Sequence, residues 1–119
     1  MSRWRNDDMQ RIDHILRNFK GVIYSHMSSV APGLMPLLNM YCRERFGSEY
    51  LDMLLKEPNI AYNIILDYTG NEVSAKLLLY SILKPILGEE TREAVTLLEN
   101  GNAEAFMRLI ASRADDTTP

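Results

Sequence analysis

Between Lys20 and Arg43 lie 22 consecutive residues with no Asp, Glu, Lys or Arg. In a chain that is 24% charged, about five charges would fall in a stretch of that length from composition alone. A segment so depleted is expected to turn largely away from bulk water. It belongs to the core, to a subunit contact or to the lining of a ligand site. It is long enough to span a bilayer, but Ser25, His26, Ser28, Ser29, Pro32, Gly33, Pro36 and Asn39 interrupt it with polar groups and helix breakers. No membrane span is therefore expected.

At 119 residues the chain can bury one core, and 46% hydrophobic content is ordinary for a globular domain. The expected organisation is one helical domain over residues 1–114 and a flexible acidic tail over 115–119. A net charge of −3 argues against a general nucleic-acid binder. The charge is uneven: +2 over residues 1–20, −1 over 21–88 and −4 over 89–119. Cys42 is the only cysteine, so one chain can form neither a disulfide framework nor a zinc cluster of cysteines. That usage suits the cytoplasm. Met1–Asp8 carries no apolar signal region behind its positive charges.

Glycine punctuates the second half at Gly47-Ser48, Gly70-Asn71, Gly88-Glu89 and Gly101-Asn102. Glycine takes the left-handed dihedrals found just past a helix end, and Ser or Asn then caps the next helix. Spacings of 23, 18 and 13 residues argue against a solenoid repeat. Asp7/Arg11, Asp13/Arg17, Asp52/Lys56, Glu72/Lys76 and Glu104/Arg108 are acid-first pairs four residues apart, the favourable order on a helix. The chain reads as all-α, a five- or six-helix bundle around a central helix near residues 72–83. The first helix spans about Asp7–Lys20, with Gly21 bending or ending it. Further helices are expected at Leu34–Phe46, from Ser48, from Pro58, from Glu72 with Pro85 kinking or ending it, at Glu90–Glu99 and at Ala103–Ala114. The Glu72 helix carries two apolar faces, which implies a central position or a shared one.

Few residues suggest chemistry. His14 and His26 lie too far apart on a helix to share a metal. His26 sits in the charge-free segment with Tyr24, Ser25, Ser28 and Ser29, and these five form the candidate ligand contact. Cys42 reads as a small buried hydrophobe, with reactivity under the influence of Arg43 as the sharper alternative. No phosphate loop or carboxylate pair suited to catalysis stands out. No cofactor, metal or enzymatic activity is expected.

The stretch Pro58-x3-Tyr62-x3-Leu66-x3-Gly70-x4-Ala75-x-Leu77-Leu78-x3-Ile82 resembles small helical output-type domains of archaeal signalling proteins. It covers residues 58–82 only. The resemblance implies a regulatory interaction module without enzymatic activity, and it assigns no binding residue.

Three functions are weighed. The first is a self-associating helical interaction or regulatory module, a homodimer with Met35, Leu38, Tyr41, Leu77 and Tyr80 at its interface, with another protein as a possible further partner. The second is a sensor that holds an apolar small molecule between helices in the 21–42 segment. The third is a DNA-binding regulator whose Arg3, Arg5 and Arg11 contact phosphate.

Overall fold

Ile15, Leu16, Phe19, Ile23 and Met27 recur at three- and four-residue steps, and all five are buried. They wind the chain into a first helix, α1, that runs Asn6–Val30 and does not end at Lys20 or Gly21. The reason is energetic. A glycine inside a helix costs about 1 kcal/mol, whereas burying Ile23 and Met27, 3% and 1% exposed, returns about 1.5–3 kcal/mol each. The structure, a computed structural model, describes residues 6–117, with side chains placed at Gln10 and over 13–113.

Pro32 and Gly33 turn the chain, and α2 (Leu34–Phe46) runs back along α1. Then follow α3 (Tyr50–Lys56), α4 (Pro58–Thr69), α5 (Glu72–Leu87), a 3-10 turn (Gly88–Glu90), α6 (Thr91–Glu99) and α7 (Ala103–Thr117). Pro58 opens α4 at the first helical position, where its missing N–H costs nothing. Gly70 closes α4 at φ 85°, and the Asn71 side chain accepts from the Ser74 N–H at 2.8 Å to open α5. Asn102 does the same for the Ala105 N–H. Pro85 lies in the last turn of α5 and does not end it. α7 passes the expected end at Ala114 and reaches Thr117; the remainder of the expected tail, residues 118–119, lies outside the described residues.

The domain is all-α, with no strand among the described residues. Helix α5 is central: it packs on α1, α4, α6 and α7 through Ala75, Leu79, Ile82, Leu83 and Ile86. A radius of gyration of 13.4 Å matches the value of about 13.5 Å expected of one domain of this length. Among the described residues no helix is long and apolar enough to cross a membrane.

Several charges that pair within helices by spacing join different helices instead. Asp13 meets Lys56, Asp52 meets Lys20 and Lys76 meets Glu99, at 3.3, 3.1 and 3.0 Å. Helix-internal and tertiary partners compete for the same side chains, and here packing puts the tertiary partner within reach.

Two buried tyrosines differ in a way that can be measured. The Tyr50 hydroxyl donates to the Ala61 carbonyl at 2.9 Å, whereas the buried Tyr62 hydroxyl has no protein partner among the described residues. Tyr50→Phe is expected to cost about 1 kcal/mol, and Tyr62→Phe to be neutral or to gain about 1 kcal/mol, in urea denaturation. A loss above about 1 kcal/mol in Tyr62→Phe would show that its hydroxyl is bonded after all.

Candidate functional site

The charge-free segment divides by helix face. Ile23, Met27, Met35, Leu38, Asn39 and Cys42 are buried, while half of its 22 residues are exposed, Val22, Val30, Leu37 and Met40 among them. So the segment is core on one side and an uncharged surface on the other. The expectation that it turns largely from water holds only for the inner face.

Met35 and Leu38, expected at a dimer interface, lie in the chain's own core at 3% and 0% exposure. The reason is that α3 and α4 pack on the face of α2 that carries them. Tyr41 is also engaged within the chain: the Tyr68 ring meets it edge-on with centroids 5.3 Å apart, and the Arg45 guanidinium lies 3.7 Å from its centroid. Of the five interface candidates only Leu77 and Tyr80 keep solvent-facing positions beside open space, on α5.

The loose side of the α1–α2 hairpin leaves a groove of about 520 Å³. Met27, Ala31, Met35, Pro36 and Met40 form its apolar wall, and Tyr24, Ser28, Asn39 and Arg43 supply its polar groups. Tyr24 and Ser28 are four residues apart on α1 and therefore share this face. Ser25 and Ser29, one position on, are exposed on another face, and half-buried His26 does not line the groove. Of the five candidate ligand residues the fold thus brings two together.

The polar end is a network tying three helices. Asn39 is only 7% exposed. Its Nδ2 donates to the Tyr24 hydroxyl at 3.2 Å, and its Oδ1 accepts the Tyr50 N–H at 3.0 Å. Asn39 therefore caps α3 from α2. Glu49, at the usual capping position, makes no side-chain cap bond and turns outward instead. It accepts from Arg43, from Lys20 at 3.2 Å and from the Tyr24 hydroxyl at 3.4 Å. The Arg43 hydrogen bond outweighs desolvation and, with help from Lys20, lowers the Glu49 pKa. Burial opposes the charge on Lys20, but its bonds to Asp52 and Glu49 prevail and raise its pKa. Lys20, Arg43, Glu49 and Asp52 balance in charge, so the end of the groove is neutral as well as its walls.

Cys42 is fully buried, and burial pushes its thiol pKa up, with Asp52 adding to the rise. That is the opposite of an activated nucleophile. Among the described residues no group of three or more His, Cys, Asp and Glu could hold a metal ion. Arg3 and Arg5, and the side chain of Arg11, lie outside the described residues.

The sequence reading passed over Asn39, Arg43, Met27 and Met40 as site residues. One signal was present: Asn39 shares a helical stripe with Met35 and Cys42, and a lone amide on an apolar stripe needs buried partners.

No family model matches the chain, and no solved structure matches it. An uncharacterised protein of Archaeoglobus fulgidus is 27% identical over 96 residues, covering 81% of this chain and 78% of that protein.

Proposed function

We propose that this chain is a non-enzymatic, cytoplasmic interaction module whose α1–α2 groove receives an apolar segment of a partner protein. The observation that carries this is a neutral, methionine-walled groove that Met40, 53% exposed, opens to the surface. Flexible thioethers adapt to varied apolar surfaces. An amphipathic helix laid into such a groove is a recurring mode of recognition. The resemblance of residues 58–82 to helical output-type domains agrees with a regulatory role.

A photo-crosslinking residue at Met40 tests the reading in the native cells. It should trap a discrete polypeptide, whereas the same residue at exposed Asp67 on α4 should not. Equal trapping at both sites, or none at Met40, would sink the proposal. A second reading, the sensor, draws on the groove's volume and on Tyr24 and Ser28 as hydrogen-bonding groups. Under that reading the Met40 probe carries a small lipophilic adduct and no polypeptide.

A further inference from the structure

Among the described side chains, Met40 is the one methionine open to water, at 53% exposure. Met27 and Met35, which share the groove wall with it, are 1% and 3% exposed. Met107 is 5% exposed, and Met53 is half-buried against the core. The side chains of Met1 and Met9 lie outside the described residues. Oxidants reach a thioether through solvent, so exposure ranks these methionines. Cys42, the one thiol, is fully buried and does not compete for the oxidant.

We propose that Met40 is a redox-sensitive modification site: a hydroperoxide converts its thioether to the sulfoxide, and the α1–α2 groove then loses its apolar occupant. The selectivity of the oxidation stands on exposure alone, whereas the loss of binding rests on the groove being a binding site. The step balances without a cofactor. A lone pair on the Met40 sulfur attacks one peroxide oxygen, and the S–O bond forms as the O–O bond breaks. Sulfur gives up two electrons. The departing oxygen takes the proton of the transferred hydroxyl and leaves as water. A dithiol reductase reverses the change: its two thiols become a disulfide and the sulfoxide oxygen departs as water.

The effect on binding follows from the polar groups of the groove. A sulfoxide is a polar acceptor where the thioether was apolar. Three of the four polar side chains around it already donate elsewhere: Asn39 to the Tyr24 hydroxyl, and Tyr24 and Arg43 to Glu49. Water satisfies the sulfoxide while the groove is open. An apolar segment laid over Met40 strips that water and offers no donor in return, which is costly. Met27 and Met35, shielded by burial, stay reduced, so the packing between α1 and α2 is spared.

Methionine-methyl NMR on the full chain tests both halves, with hydrogen peroxide as the oxidant and the neutral dye Nile red as the apolar probe. Met40 should oxidise at least about 5 times faster than Met27, Met35 and Met107. Nile red should move the methyl signals of Met27, Met35 and Met40 and leave that of Met107, and oxidation should weaken its binding at least about 5-fold. Met40→Leu keeps the apolar bulk and cannot form a sulfoxide, so its dye binding should withstand peroxide. Met40→Gln should bind weakly with no oxidant present. Circular dichroism should be unchanged in both variants, which ties their effects to the groove. If Met40 is not oxidised ahead of the buried methionines, the modification site is wrong and the groove reading stands. If Met40 oxidises first but dye binding is unchanged, or falls equally in Met40→Leu, the switch is overturned and the groove reading again stands. A dye that leaves all three groove methyls unmoved overturns the groove reading, and the switch with it.

Discussion

Leu38→Glu is expected to unfold the domain. Leu38 has 0% exposure and sits in the cluster formed by α1, α2, α3 and α4. A carboxylate there either stays charged without a partner or takes up a proton at a large energetic cost. It also forfeits the transfer and packing energy of the leucine, which in Leu→Ala substitutions alone costs about 2–5 kcal/mol. A domain of this size has only about 5–15 kcal/mol in total. The helical circular dichroism signal and the cooperative urea transition should both be lost. At the dimer interface where the sequence places Leu38, the same substitution would instead dissociate a dimer and leave helicity intact. A well-folded Leu38→Glu protein would restore that earlier assignment and contradict the packing of α2.

Asn39→Ala is expected to cost about 2–3 kcal/mol, more than any other polar truncation around the groove. The substitution leaves the buried Tyr50 N–H without its acceptor, a loss of about 1–3 kcal/mol, and removes the cap of α3. It also frees the Tyr24 hydroxyl from one partner, though Glu49 still accepts from it. Tyr24→Phe, which spares the cap, should cost less than half as much. Hydrogen exchange separates the two: the Tyr50 amide should lose protection in Asn39→Ala and keep it in Tyr24→Phe. Equal protection in both variants would mean that something other than Asn39 holds the start of α3. The same experiment bears on function, because Asn39 forms the inner polar wall of the proposed groove.

How the exposed apolar side chains relate to the core follows from the two faces of the helices that carry them. On α2, Met35, Leu38 and Cys42 point inward and Leu37 and Met40 outward, so the groove wall is anchored by the core itself. On α5 the same division holds between Leu79, Ile82 and Leu83 on one side and Val73 and Leu77 on the other. Partner contact at the groove would therefore act on side chains one helical step from the central packing. Tyr24, half-buried on α1, ties that helix to α2 through Asn39 and to the start of α3 through Glu49.

Local rules sufficed for the elements whose ends are made by local chemistry. Gly70-Asn71 and Gly101-Asn102 stop one helix and cap the next with their own side chains, and Pro58 starts α4, so these boundaries were legible from the sequence. The two-faced pattern of residues 72–83 likewise pointed to a central helix, because a helix apolar on both sides must be covered on both. Tertiary structure decided the rest. Gly21 does not end α1, since burial of Ile23 and Met27 outweighs the local cost of glycine. Ser48 does not cap α3; Asn39, eleven residues before that helix begins, does so across space. Asp13, Asp52 and Lys76 find partners on other helices in preference to the neighbours four residues away. Whether an uncharged residue meets core or water was also beyond composition: Leu37 and Leu38 are adjacent and identical, and the helix turns one outward and the other to the centre. Absence of charge marks what a residue tolerates, and only the packing of α1, α3 and α4 against α2 determines which side is covered.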